Sequence, residues 1–194
     1  GEAGRLIDKL GLPLFLKPAN GGSSVGTAKA ENKDELIRAL RKVSDYDEKI
    51  LVETFVKARE LEVAVLGNKT PRAASPGEIV KEEDVAYYDY ETKYFKSGAD
   101  AVVPADIPQE TAETLKQAAL RAYQAIGCRG LARVDFFCTE DGRIYLNEIN
   151  TLPGFTNISL YPMAFAAEGL KTGPLLTELC RLAVERQAEE ARKR

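Results

Sequence analysis

The 194 residues are enough to bury a real core and suit one large or two small domains. With 27 basic and 30 acidic residues the charge is nearly balanced, so nothing in it predicts a general affinity for nucleic acid or anionic membrane, and no apolar run approaches a membrane span. Histidine is absent, which excludes Ser-His and Cys-His nucleophiles and imidazole-built zinc sites.

Three widely spaced cysteines, Cys128, Cys138 and Cys180, form no Cys-x-x-Cys pair and read as reduced structural thiols. No signal peptide opens the chain, and a cytoplasmic protein is the default expectation.

Residues 2 to 10 read as the last turns of a helix, with Leu6, Ile7 and Leu10 on one side and Gly11 as the stop, so the chain is expected to begin in mid-element. Pro13 to Pro18 is a strand signal, a Gly/Ser cluster follows, and Val25 to Ala30 is the expected returning strand. Asn32-Lys33-Asp34-Glu35 has N-cap and capping-box chemistry and opens a helix to about Val43. Residues 49 to 54 form another strand, and Glu60 to Leu66 read as an alternating one. Residues 82 to 100 are polar, charged and rich in tyrosine, a long loop of the kind that is usually functional or disordered. An amphipathic helix is expected over 109 to 126, then a hairpin, a Pro/Gly loop, and a last helix over 172 to 188 with Leu175, Leu176, Leu179, Leu182 and Ala183 inward. Strand, loop, strand, helix, strand describes a small α/β unit followed by a mostly antiparallel region.

Four stretches carry groups that chemistry can use. In Lys17-Pro18-Ala19-Asn20-Gly21-Gly22-Ser23-Ser24-Val25-Gly26, glycines let backbone N–H groups approach phosphate oxygens, Ser23 and Ser24 add hydroxyls, and Lys17 adds charge. It is not a Walker A loop, because the lysine precedes the glycines. A flexible turn with one surface lysine is the competing reading. At the junction of the two regions, Glu53 and Glu60 flank the apolar Phe55 and Val56, a pattern that suits a flat base and a ribose hydroxyl but equally suits ordinary surface glutamates. The tyrosine-rich loop, with Lys93 and Tyr94, has the makings of a lid over an anion or of a solvated loop with aromatic anchors.

The fourth stretch is the hairpin. Asp141-Gly142 lies between two apolar, β-branched runs, and as a two-residue loop it sets Asp135 opposite Glu148 and Arg133 opposite Asn150, all on one face. Opposed like charges repel, and Phe136, Phe137, Tyr145 and Leu146 imply that the hairpin is largely buried, so the carboxylates need a partner. A divalent cation held by Asp135, Glu148 and Asn150 supplies one, and Arg133 is the alternative neutraliser. Thr151 to Ser159 follows as a loop with backbone N–H groups and hydroxyls suited to a small carboxylate.

The ordered motifs Lys-Pro-Ala-Asn-x-Gly-Ser-Ser-Val-Gly, Tyr-Asp-Tyr-Glu-x-Lys-Tyr, Arg-Val-Asp and Asn-Glu-Ile-Asn-Thr-Leu-Pro-Gly-Phe-Thr closely resemble those of the D-alanine:D-alanine ligases, which are ATP-grasp enzymes. The resemblance runs over nearly the whole chain. It implies an α+β ATP-grasp fold, with residues 1–56 as part of the central α/β subdomain and 57–194 as the C-terminal antiparallel-sheet domain with helices. The N-terminal substrate domain is expected to be absent, and the chain to be a fragment inactive by itself.

What the resemblance implies for chemistry is ATP-dependent joining of two D-alanines through an acyl phosphate, in peptidoglycan precursor synthesis. Lys17 and Lys93 would hold ATP phosphates, and Ser23 and Ser24 would belong to the loop over the reacting groups. Glu53 would face the adenine amine, the backbone at Phe55 and Val56 would border the base, and Glu60 would take the ribose. Asp135, Glu148 and Asn150 would ligate two Mg²⁺, with Mn²⁺ as a substitute. Arg133 and the Gly154 N–H would stabilise the oxyanion, and Ser159 and Leu160 would border the second D-alanine. Tyr94, where relatives that accept D-lactate commonly carry phenylalanine, favours an amine-bearing second substrate. The larger side chain that the family often has at Gly21 is missing. The resemblance further implies a homodimeric parent enzyme and no nucleic-acid or membrane partner. The alternatives are an ATP-grasp ligase of another amino acid or peptide, and a noncatalytic nucleotide-binding module.

Overall fold

The computed structural model of the chain describes residues 1–22, 24–81 and 99–192. The chain folds as two compact units, the first containing Gly1–Lys57 and the second Ala58–Val80 with Asp100–Arg194.

In the first unit, α1 (Glu2–Leu10) stops at Gly11, whose φ of 76° only glycine adopts freely. A three-stranded antiparallel sheet follows, built from β1 (Leu14–Pro18), β2 (Ala28–Ala30) and β3 (Ile50–Thr54) in the order β2-β1-β3. The expected returning strand is thus shorter than Val25–Ala30, because Ser24 to Gly26 turn, with Val25 N–H donating to Gly22 O and positive φ at Ser24 and Gly26. Helix α2 (Lys33–Ser44) is capped by Asn32, whose side chain accepts from Glu35 N–H at 3.0 Å. Glu35 reaches back to Glu31 N–H, a capping box displaced by one residue. Leu14 and Leu16 point to one face, where they pack with Ala3, Ala30, Leu36, Ala39 and Val43. The period of two puts Phe15 and Lys17 on the other face, with Lys29 and Glu53 in register beside Phe15.

The second unit is a six-stranded sheet ordered β7-β6-β4-β8-β9, with β5 pairing β4. Its strands are β4 (Arg59–Gly67), β5 (Arg72–Ala73), β6 (Gly77–Lys81), β7 (Ala99–Val102), β8 (Gly130–Cys138) and β9 (Ile144–Asn150). Helices α3 (Gln109–Ala125), α4 (Leu160–Ala167) and α5 (Thr172–Ala191) complete it. On one face Leu61, Val63, Val65, Ala132, Val134 and Phe136 pack with Leu115, Ala119 and Tyr123 of α3. On the other, Ala64 and Leu66 pack with Leu160, Tyr161, Ala164 and Phe165 of α4 and Leu175 and Leu182 of α5. The strand over Glu60–Leu66 is therefore present but not alternating, since helices cover both faces and every residue from Leu61 to Gly67 is buried. Two buried tyrosines tie the helix layers to β4, Tyr123 donating to Gly67 O at 2.7 Å and Tyr161 to Val65 O at 3.0 Å. Burial pushes both phenols up.

Three expectations are corrected. The Pro/Gly loop after the hairpin contains α4, which has no amphipathic period because Leu160, Tyr161, Pro162, Ala164 and Phe165 are all buried. On α5 only Leu175 and Leu182 are buried and Leu179 packs partly; Leu176 is 49% exposed and Ala183 is exposed, because one stripe of the helix meets the sheet. The hairpin is only half buried, since β9 is an edge strand, with Tyr145 and Leu146 exposed although Phe136 is buried. Residues 82–98 of the expected tyrosine-rich loop lie outside the described residues. Among the described residues, no helix is long and apolar enough to cross a membrane.

Gly77 sits opposite Glu62 on β4, and a Cβ there would lie 2.8 Å from both methyl carbons of buried Leu160. Gly77→Ala is therefore expected to destabilise the second unit by about 1–3 kcal/mol by overpacking. An unchanged denaturant midpoint would show that α4 can move aside.

Candidate functional site

The hairpin pairs Asp135 with Glu148 and Arg133 with Asn150, as expected, but by another route. Thr139 N–H donates to Arg143 O at 3.0 Å, so the loop is the three residues Glu140-Asp141-Gly142, with Gly142 at φ 82°. Cys138, Phe137 and Phe136 consequently oppose Ile144, Tyr145 and Leu146, one residue away from the register of a two-residue loop. A bulge between Phe136 and Asp135 then takes up Asn147 as the extra residue and returns Asp135 to Glu148.

Period-two geometry sets two rows across β4, β8 and β9. One is Glu62, Asp135, Glu148; the next is Ala64, Arg133, Asn150. The Arg133 guanidinium forks onto Asp135, Nε–H to Oδ1 at 2.8 Å and Nη2 to Oδ2 at 2.7 Å. Its Nε also lies 2.9 Å from Glu62 Oε2. Asn150 Nδ2 donates to Asp135 Oδ2 at 2.9 Å and to Glu148 Oε1 at 3.2 Å. Asp135 and Glu62 are 8% and 7% exposed, which is why they need these partners. Burial alone lowers the Arg133 pKa, but the hydrogen bonds and charges of Asp135, with Glu62 and Glu148, outweigh it and raise the pKa overall.

The like-charge conflict is thus met first by Arg133 and Asn150 themselves. Among the described residues, the two rows bring three carboxylates to one guanidinium. The Asn150 amide N–H group bridges Asp135 and Glu148, and turned over it would offer an oxygen to the same point, a donor set of the kind a divalent cation takes. Among the described residues, no group of three His, Cys, Asp or Glu is arranged for a metal, so the amide would be needed as a ligand.

Beyond β9, Thr156 N–H donates to Ser159 Oγ at 3.0 Å, Ser159 N–H to Thr156 O at 3.0 Å, and the two hydroxyls meet at 2.9 Å. A Cβ on Gly154 would come within 3.0 Å of Ser159 Oγ, so glycine lets this loop close on itself. Leu160 is buried against Gly77, and only its backbone is left for a ligand. Leu152 and Ile158 are 88% and 78% exposed.

In the first unit, Lys17 Nζ pairs with Glu53 Oε2 at 3.0 Å. Phe55 N–H donates to Pro13 O at 2.9 Å, and Lys29 Nζ stands 4.4 Å from the centre of the Phe55 ring. Lys17, Ser24, Glu53, Phe55 and Val56 belong to this unit, and Glu60, Arg133, Asp135, Glu148, Asn150, Gly154, Ser159 and Leu160 to the second. Ser23, Lys93 and Tyr94 lie outside the described residues.

Sequence reasoning did not single out Glu62, Lys29 or Asp47. A glutamate two positions from another in a strand that is otherwise apolar was the available sign for Glu62. Asp47 anchors the start of the Gly/Ser loop, its Oδ2 accepting from Asn20 N–H at 2.7 Å and Nδ2 at 3.0 Å, and Oδ1 from Lys49 N–H at 3.0 Å. These bonds, Lys49 N–H foremost and then Asn20 N–H, hold the Asp47 carboxyl below its usual 3.8. The folded pKa lies below the unfolded one, so this contribution is complete above 3.8 and vanishes as pH falls through the folded value. Thermal melts in acid should show a smaller loss across that window for Asp47→Asn than for the parent chain. Superimposable profiles would remove Asp47 as the anchor.

Residues 3–181 match the family model described as D-ala D-ala ligase C-terminus. A D-alanine–D-alanine ligase A of Chromobacterium violaceum is 50% identical over 182 residues, 93% of this chain and 49% of that protein. Among solved structures, the D-alanine–D-alanine ligase from Coxiella burnetii has a TM-score of 0.84 at 37% identity, covering 99% of this chain and 50% of the other. The VanG D-Ala:D-Ser ligase from Enterococcus faecalis has a TM-score of 0.83 at 35% identity, covering 92% and 52%. The chain spans about half the length of the curated relatives it matches. The motifs, the α+β fold and the match over residues 3–181 agree, and the chain belongs to the D-alanine:D-alanine ligase family, within the part that the C-terminal family model describes.

Proposed function

We propose that this chain carries the nucleotide, cation and oxyanion groups of an ATP-dependent D-alanine:D-alanine ligase of peptidoglycan precursor synthesis, a cytoplasmic and homodimeric enzyme. The observation that carries this reading is the row Glu62, Asp135, Glu148 with Arg133 and Asn150, three carboxylates in register with an amide between two of them. Residues 1–56 act as part of the central ATP-grasp subdomain and 57–194 as its C-terminal domain.

In the reaction, the carboxylate of one D-alanine takes the γ-phosphoryl group of ATP, releasing ADP. The amine of the second D-alanine then attacks the acyl carbon, loses a proton, and phosphate leaves as the peptide bond forms. Such chemistry depends on positioning and on charge neutralisation. Lys17 exchanges its Glu53 partner for phosphate oxygens and acts with Lys93, while Ser23 and Ser24 cover the reacting groups. Glu53, thus released, accepts from the adenine amine, the Phe55 and Val56 backbone borders the ring, and Glu60 takes the ribose. Asp135, Glu148 and Asn150 would hold two Mg²⁺, or Mn²⁺ in their place, which would supply positive charge to phosphate oxygens. Arg133 and the Gly154 N–H offer donors to the oxyanion that develops on the acyl carbon. The Ser159 hydroxyl and the Leu160 backbone border the second D-alanine, and Tyr94 favours an amine-bearing second substrate. The likeness to a D-Ala:D-Ser ligase supports a second reading, in which the second substrate is D-serine; rates with D-alanine and D-serine in a substrate panel decide between them.

Glu148 is exposed and, among the described residues, its side chain hydrogen-bonds only Asn150, so Glu148→Gln should fold normally. Calorimetry should show Mg²⁺ strengthening ATP binding to the parent chain, EDTA abolishing that gain, and Glu148→Gln reducing it by about ten-fold or more. ATP affinity indifferent to Mg²⁺ would identify a noncatalytic nucleotide-binding module instead. Phosphate release with ATP, Mg²⁺ and D-alanine should be low for these 194 residues alone and robust when the other half of the relatives' length is supplied. Robust turnover by the chain alone would overturn its reading as an inactive part.

A further inference from the structure

Arg133 Nε carries a single hydrogen, and two buried carboxylates lie within reach of it. Asp135 Oδ1 accepts it at 2.8 Å, and Glu62 Oε2 is 2.9 Å from the same nitrogen. Glu62 and Asp135 are direct cross-strand partners on β4 and β8, while Glu148 flanks Asp135 from β9 on the opposite side. The strand order therefore divides the surroundings of Asp135. The point bridged by the Asn150 amide lies on the Glu148 side, and the second carboxylate near Arg133 stands on the Glu62 side. Ala64, directly opposite Arg133, has too small a side chain to separate the guanidinium from Glu62.

A cation on Asp135 draws on the same oxygens that hold the Arg133 fork and repels the guanidinium. The Arg133 side chain is only 14% exposed, so water cannot replace the lost counter-charge. Resting on the cation site proposed above, we propose that Glu62 is a positioning residue that receives the Arg133 Nε–H when a divalent cation occupies Asp135, keeping the guanidinium aimed at the reacting oxyanion. Glu62 then acts through Arg133 and touches neither cation nor substrate. One guanidinium shared between two carboxylates lets the site fill with cation without stranding a buried positive charge.

The test follows the Arg133 Nε–H signal in ¹⁵N-labelled full chain, assigned by its loss in Arg133→Lys, as Mg²⁺ is added with a non-hydrolysable ATP analogue. In the parent chain the signal should shift on cation binding and stay protected from solvent exchange. In Glu62→Gln the bound state should exchange about ten-fold or more faster, and Mg²⁺ affinity should fall by a similar factor. Glu62→Asp should recover part of both, and it carries the comparison if melts show that Glu62→Gln does not fold. Glu148→Gln should lose Mg²⁺ affinity without changing Nε–H exchange at cation saturation. Cation binding with equal Nε–H protection in the parent chain and both Glu62 variants would overturn this role and leave the cation site standing, as would loss of protection in the parent chain itself. No cation binding to the parent chain would overturn the cation site and this role together.

Discussion

The second unit depends on one buried positive charge. Arg133 lies on β8 between β4 and β9, and its guanidinium is shared by carboxylates that the β4/β8 register brings to it. Removing one partner from a buried ion pair costs about 3–5 kcal/mol, whereas an apolar replacement of the whole set is often neutral. Stability alone therefore gives no reason to bury two acids against a guanidinium where Val, Ile or Leu would pack. On the function proposed above, the cluster is a site that the fold holds in readiness.

The surrounding structure supplies what that readiness needs. Nine consecutive pairs fix β4 on β8, so Glu62 cannot slip from Asp135 without turning the whole core outward. Helix α3 fills one face, and α4 and α5 fill the other, with tyrosine hydroxyls pinning each layer to β4. Leu160 seated on Gly77 brings the start of α4 beside the strand position opposite Glu62, which locates the Thr151–Ser159 loop by the charged rows. The position of the loop is a result of core packing.

Much of this was legible from residues. The caps and periods marked α1, α2 and α3, and Asp-Gly between β-rich runs marked the hairpin. The cross-strand pairing of Asp135 with Glu148 was read correctly from an incorrect loop, because the extra residue in the turn and the bulge at Asn147 cancel. No short-range signal shows a bulge of that kind; it depends on what β8 and β9 must present to the rest of the sheet. Helix α4 was missed since its sequence, apolar from Leu160 to Ala167, has no polar face to set a period. Glu62 was passed over for a related reason, as a charge in an apolar strand shows its meaning only when the neighbouring strand is known.

Lys17 and Arg133 are held in different ways, and the difference follows from exposure. Lys17 and Glu53 pair with side chains 25% and 46% exposed, an interaction worth about 0–1 kcal/mol, so phosphate oxygens can take the lysine at little cost. Water is at hand to replace each partner as it leaves. Arg133, with a side chain only 14% exposed, has no such recourse, and any exchange of its partners must be supplied from within the protein. A lysine with one exchangeable partner suits a ligand that comes and goes at every turnover. An arginine shared between two fixed carboxylates suits a donor that must stay in place while the charges beside it change.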